Sequence, residues 1–124
     1  MDLSNLVTRF GGSARASLAT SAGGLGFFAV TPEAPYDPSL STAEQARQLF
    51  AKAEKRLVEI GSSKAAMTFC AIILADMGDV ASFNAEWDQW VADVSPPARA
   101  CFEARLANPA LKVELIVICA TPQL

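Results

Sequence analysis

The chain has 124 residues, a hydrophobic fraction of 52% and a formal net charge of −3, and this length predicts a single domain, residues 1–124, with a substantial core. The absence of histidine excludes Ser-His-Asp and Cys-His catalysis and removes the commonest ligand of catalytic metals. The net negative charge argues against nucleic acid as a partner. The sequence has no apolar run long enough to cross a membrane and no secretory signal at its start, so we expect a cytoplasmic protein with no membrane partner.

The N-terminal third of the chain indicates a hairpin. Two short apolar runs, residues 13–20 and 25–31, flank a segment with two adjacent glycines, and such glycines supply the positive φ angles of tight hairpin turns. Residues 3–10 are a candidate for an additional strand. We therefore expect two or three strands before the first helix.

A loop and a long helix follow the hairpin. Residues 32–38 contain three prolines, which disfavour helix and central strand and predict a loop. Ser41 and Glu44 have the spacing of a capping box, and apolar residues recur at helical spacing beyond it. A helix over residues 42–60 is predicted, with Gly61 as its C-terminal stop.

The second half of the chain predicts a strand, a helix and two further strands. Residues 67–75 are apolar on both faces. We expect Asp79 to cap a second helix, which ends at the prolines of residues 95–97. Residues 98–106 and 111–120 then have strand character, and the predicted order is β-β-α-β-α-β-β.

Two charged residues within the closing strands are not explained by core packing. At period two, one face of the first strand carries Arg99, Cys101, Glu103 and Arg105. Glu114 is the only acidic residue of the last strand. Two interpretations remain open: a structural ion pair of Arg99 with Glu103 or Glu114, or a site in which Arg99 binds a carboxylate and Glu114 positions or deprotonates water.

The three cysteines have no paired spacing and are interpreted as reduced thiols. Cys70 and Cys119 lie in apolar strands and are expected in the core. Cys101 lies two residues from Arg99 on the same face and is expected to line the same pocket. The two predicted helices can cover only one face of the sheet, so the apolar second face predicts self-association.

Several segments together resemble the RidA family, also called YjgF. They are PARAC at 97–101, ARL at 104–106 and VE at 113–114, preceded by STAEQAR at 41–47, LADM at 74–77 and FNAEW at 83–87. This resemblance implies an α+β, chorismate-mutase-like fold with a mixed β-sheet and two helices on one face. It also implies a homotrimer with its sites in the clefts between subunits.

The resemblance also implies roles for individual residues. Arg99 corresponds to the family's carboxylate-binding arginine, and Glu114 to the glutamate that orients the hydrolytic water. The expected substrate-binding set is Arg99, Cys101, Asn84, Ser17 and Thr31. For Asn84, a helix-to-loop hydrogen bond is an equally open interpretation.

The implied activity is enamine/imine deamination, the hydrolysis of 2-imino acids to 2-keto acids and ammonia, with no metal and no organic cofactor. The small carboxylate substrate would be the main partner. The alternative is a non-catalytic trimer that binds a small carboxylate metabolite or a protein. The alternative is favoured because residues 31–33 depart from the family pattern. Many family members have a glycine-containing tripeptide at this corner, whereas this chain has Thr-Pro-Glu, and proline has no N–H to donate.

Overall fold

The structure is a computed structural model that describes residues 1–122. Its strands and helices are β1 (Thr8–Phe10), β2 (Ala19–Ala22), β3 (Leu25–Val30), α1 (Thr42–Glu59), β4 (Met67–Leu74), α2 (Val80–Trp90), β5 (Ala98–Glu103) and β6 (Val113–Ala120). Short 3-10 turns occupy Ser4–Leu6, Lys64–Ala66 and Met77–Asp79. The predicted order of elements is confirmed, and β1 is the additional N-terminal strand, shorter than the candidate segment 3–10.

All six strands form one mixed sheet in the order β1-β2-β3-β6-β4-β5. Only β4 and β5 are parallel, because α2 connects them as a crossover, and the other neighbouring pairs are antiparallel. The last strand, β6, lies between β3 and β4. The fold is therefore α+β, as predicted.

The predicted hairpin turn is confirmed. Gly23 and Gly24 have φ angles of 59° and 81°, and Ala22 pairs with Leu25 across the two-residue turn. The first predicted strand was wrong over most of its length, because residues 13–18 form a loop that folds back on itself. In that loop the N–H of Ser13 donates to the carbonyl of Ala16 at 2.9 Å.

Both ends of α1 have side-chain or backbone caps that the sequence predicts. Ser41 and Glu44 form the complete capping box. At the other end Gly61 has a φ angle of 81°, and the N–H of Ser62 donates to the carbonyl of Leu57 at 2.8 Å, which is the Schellman arrangement. The helix ends at Glu59, one residue before the predicted boundary.

Asp79 occupies the N-cap position of α2, as predicted, but its side chain does not form a capping hydrogen bond. Asp79 already has the turned backbone of the preceding 3-10 turn and makes no side-chain cap. Its carboxylate instead accepts a hydrogen bond from the hydroxyl of Thr42 at 2.7 Å, which ties the start of α2 to the start of α1. Asp76 caps the preceding 3-10 turn, where its carboxylate accepts from the N–H of Gly78 at 2.8 Å.

The hydrophobic core lies between the two helices and one face of the sheet. Phe50 of α1 stacks on Trp90 with ring centroids 4.3 Å apart and makes an edge contact with Trp87. The sheet contributes the alternate residues that point toward the helices, so β6 buries Val113, Leu115, Val117 and Cys119. Cys70 and Cys119 are fully buried, as predicted.

The other face of the sheet, which we call the outer face, has no helix on it. Four of its large apolar side chains, on β3, β6 and β5, are 39–47% exposed, and they are Leu25, Phe27, Ile116 and Phe102. Glu114 is an acidic member of this face. Monomeric proteins rarely leave so continuous an apolar surface in water.

Between residues 1 and 122, no helix has both the length and the apolar character that a membrane crossing requires.

Candidate functional site

Arg99 is positioned by the pairing of β5 with β4. It lies beside Cys70, which is buried on the helix side of the sheet, and its own side chain therefore points toward α2. There the guanidinium donates to the amide oxygen of Asn84 at 2.6 Å. Its central carbon lies 5.2 Å from the centroid of the Trp87 ring, a cation–π distance.

The guanidinium opens onto a pocket of about 380 Å³. The lining residues are Asn84, Trp87, Asp88, Pro96, Pro97 and Arg99. The two prolines form the rigid entry into β5, and Trp87 is held by the core. Arg99 is therefore restrained on one side by an amide and on another by an aromatic ring, while its remaining donors face an open cavity.

Within one protomer, Arg99 does not form the structural ion pair with Glu103 or Glu114 that the sequence left open. No acidic side chain among residues 1–122 forms a salt bridge with it. Glu103 accepts a hydrogen bond from the backbone N–H of Met77 at 2.9 Å instead, and Arg105 lies beyond the end of β5. A guanidinium held by a neutral amide keeps its full charge and most of its five N–H donors for an anion.

Cys101 lies on the same side of β5 as Arg99, one pleat further on, and is half-buried. Burial raises the pKa of this thiol, and the nearby Arg99 charge lowers it only in part. The thiol is therefore protonated near neutral pH. A protonated thiol does not suit a nucleophile. Cys101 packs against the core and is not among the residues that line the Arg99 pocket, so the expectation that it lines the same pocket is not met within one protomer.

Glu114 lies on the outer face, opposite Ile73 of β4. Burial among apolar neighbours raises the pKa of its carboxyl group, as expected for a carboxylate removed from water. Because the helix side of β6 is occupied by Val113 and Leu115, Glu114 and Arg99 point to opposite sides of the sheet. The two residues do not meet within one protomer.

Thr31 follows the last residue of β3, where Val30 pairs with Leu115, so it lies next to Glu114. Its hydroxyl is 3.0 Å from the hydroxyl of Tyr36. The adjoining corner is closed, because Pro32 is buried and the N–H of Glu33 donates to the side chain of Gln48 at 3.1 Å. The corner therefore offers few backbone donors to a ligand.

Ser17 belongs to a third location. It lines a pocket of about 340 Å³ formed by the loop before β2 and by β2 and β3 themselves. Thr20, Phe27 and Ala29, which line the same pocket, belong to the outer face by their register. One protomer thus brings Arg99, Asn84 and Cys101 together on the helix side and places Thr31, Glu114 and Ser17 on or near the outer face.

Sequence reasoning missed two contributors. Trp87 was not assigned to the site, yet one side of its ring carries the Arg99 guanidinium. Asp88 was not considered, although its i,i+4 spacing from Asn84 places both residues on the same side of a helix. Within the described chain, no cluster of three or more acidic or cysteine side chains has the arrangement of a metal site.

The fold and the arginine pocket define a class of small α+β subunits with one helix-covered sheet face, one open apolar face and a restrained guanidinium at the edge strand. The sequence model of the family described as Endoribonuclease L-PSP matches residues 17–121. The chain belongs to this family, which confirms the resemblance to RidA and YjgF proteins noted above.

Relatives in two bacterial species carry the description "RutC family protein". The Haemophilus influenzae protein is 47% identical over 75 residues, which cover 60% of this chain and 65% of that protein, slightly less than two thirds of its length. The Haemophilus ducreyi protein is 34% identical over 115 residues, covering 93% of this chain and 97% of that one.

Solved structures show the same fold. A YjgF-family protein from Neisseria meningitidis is 39% identical, with a TM-score of 0.84 and coverage of 95% of this chain and 97% of the other. An uncharacterized protein from Pseudomonas aeruginosa is 30% identical, with a TM-score of 0.85 and coverage of 94% and 99%. These structures confirm the predicted fold class over nearly the whole chain.

Proposed function

We propose that the protein is an enamine/imine deaminase that hydrolyses short 2-imino acids to 2-keto acids and ammonia. The observation that carries the proposal is the Arg99 guanidinium, which is held by Asn84 and Trp87, faces an open pocket and has no acidic partner among residues 1–122. A planar fork of donors fixed in this way suits a substrate carboxylate. Membership of the family supports a RidA-type function.

The reaction requires only a bound substrate carboxylate and a positioned water molecule. Water adds its oxygen to the electrophilic imine carbon, the imine nitrogen takes up a proton, and cleavage of the C–N bond then releases ammonia and leaves a ketone. Glu114, whose pKa is raised by burial, is suited to orient that water and to pass a proton between oxygen and nitrogen. Thr31, Cys101, Asn84 and Ser17 would line the site, and no cofactor enters the chemistry.

A complete site requires a second copy of the chain. Arg99 points toward α2, whereas Glu114 belongs to the outer face, so one protomer cannot present both groups to one small molecule. Association that buries the apolar outer face and the edge strand β5 would cover the exposed aromatic side chains and bring the Glu114 of one copy toward the Arg99 of a neighbouring copy. We therefore propose the homotrimer implied by the family resemblance, with its sites between subunits.

The test is release of keto acid from enzymatically generated 2-iminobutyrate, measured as acceleration over the uncatalysed hydrolysis. We expect Arg99→Ala to lose at least 90% of the acceleration, since a fixed charge-assisted contact contributes about 1.5–3 kcal/mol. Glu114→Gln should lose turnover while retaining ligand binding. The matched control is Arg47→Ala, which removes a surface ion pair with Glu86 and should keep the wild-type rate. Equal rates for wild type and Arg99→Ala would overturn the proposal.

The second candidate is a non-catalytic binding protein for small carboxylates, and one observation favours it. Pro32 and the engaged N–H of Glu33 remove backbone donors from the corner beside Glu114. Thermal-shift measurements against keto and amino acids, run beside the deaminase assay, separate the two candidates. Stabilisation by carboxylates that depends on Arg99, without any acceleration of imine hydrolysis, would establish the binding protein.

A further inference from the structure

Two residues one turn apart on α2 line the Arg99 pocket, and they differ in charge. Asn84 and Asp88 have the i,i+4 spacing that places side chains on the same side of a helix. Arg99 donates to the neutral amide of Asn84 at 2.6 Å. It makes no salt bridge with the carboxylate of Asp88, although both side chains line the same cavity of about 380 Å³.

Neighbouring carboxylates on and after α2 form salt bridges, and Asp88 differs from them. Glu86, two residues earlier, forms a bidentate contact with Arg47. Asp93, just after α2, pairs with Lys64 at 2.7 Å. Within residues 1–122 the exposed Asp88 side chain has no hydrogen bond or salt-bridge partner, so its negative charge remains available at the edge of the pocket.

The restraint on Arg99 explains why the two opposite charges stay apart. The amide of Asn84 and the ring of Trp87 together fix the plane and position of the guanidinium. Trp87 is itself anchored in the core against Phe50. The pocket therefore presents one uncompensated cation and one uncompensated anion to its contents, and neither charge neutralises the other by direct contact.

We infer that this pocket binds a small zwitterion, with its carboxylate on Arg99 and its positively charged nitrogen on Asp88. The inference rests on the proposed role of Arg99 and names the substrate class more closely. A protonated 2-imino acid carries both charges, whereas the 2-keto acid product has lost the nitrogen. Asp88 would thus favour substrate over product and assist product release.

The test compares two ligands of the same carbon chain, 2-aminobutyrate and butyrate, by isothermal titration calorimetry on the full protein. Wild type should bind 2-aminobutyrate up to about fivefold more tightly than butyrate, the upper end of the range for one exposed ion pair. Asp88→Asn should abolish this preference without weakening the binding of butyrate. The control is Asp2→Asn, at the opposite edge of the sheet, which should keep the preference.

Three results would overturn the inference. They are equal affinity of wild type for the two ligands, an unaltered preference in Asp88→Asn, and no binding of either ligand. The outcome is separable from that of the proposed reaction. A preference that depends on Asp88 in a protein without imine-hydrolysing activity would support the zwitterion pocket and refute the deaminase.

Discussion

Gln45 joins three segments of backbone, and its replacement by methionine tests how firmly they are held. The side chain is 1% exposed. Its nitrogen donates to the carbonyl of Ala110 at 2.9 Å and to that of Asp37 at 3.4 Å, and its oxygen accepts from the N–H of Lys112 at 2.8 Å. These contacts link α1 to the proline-rich loop and to the segment that enters β6.

Methionine keeps the approximate length and volume of glutamine but supplies none of these contacts. Each lost hydrogen bond removes about 1 kcal/mol of net stability, and a buried N–H left without a partner costs about 1–3 kcal/mol more. The better hydrophobic burial of methionine offsets part of the loss. We therefore expect Gln45→Met to lower the free energy of unfolding by about 2–4 kcal/mol.

The assay is equilibrium unfolding in urea, monitored by tryptophan fluorescence at one fixed protein concentration, because the proposed self-association would make stability depend on concentration. The matched control is Gln89→Met on α2, where the glutamine is exposed. This control should change stability by less than about 0.5 kcal/mol. Equal stabilities for the two variants would refute the assignment of Gln45 as a structural clamp.

Three further predictions concern charge, thiols and the outer face. Because burial raises the pKa of Glu114 in the folded state, stability should fall as pH rises through that pKa, and Glu114→Gln should remove this decline in pH-dependent urea unfolding. In native protein a thiol reagent should modify Cys101 before Cys70, since burial raises the pKa of Cys70 to about 12. A reversed order would contradict the burial described. Phe102→Glu should reduce the assembled mass in light scattering, whereas Val58→Glu, on exposed α1 surface, should leave it unchanged, and equal masses would contradict association through the outer face.

Local signals in the sequence were sufficient for most elements. The capping box at Ser41, the glycine after α1 and the two adjacent glycines of the hairpin each specify a boundary through short-range backbone chemistry. The loop at residues 13–18 was missed because its apolar alanines and leucine resemble strand, while its turn depends on Gly12, whose added Cβ would lie 2.2 Å from a carbonyl oxygen.

The arrangement of the site could not be predicted in the same way, because it depends on contacts between distant segments. Strand alternation places Arg99 and Cys101 on one face, but the sequence does not say which face turns toward the helices. The partner of Arg99 proved to be Asn84, a neutral amide on another element. The separation of Arg99 from Glu114 likewise follows from the pairing registers of β5 and β6 with β4, which place the two side chains on opposite faces and which no local pattern specifies.

The central place of β6 has a consequence for how the molecule folds. β6 makes the lateral hydrogen bonds that join the β1–β3 sheet segment to the β4–β5 pair. Until it docks, the polypeptide consists of two incomplete halves, each exposing an unpaired strand edge that is open to intermolecular pairing. Because its contacts with β3 span most of the polypeptide, closure of the sheet should be slow relative to helix formation.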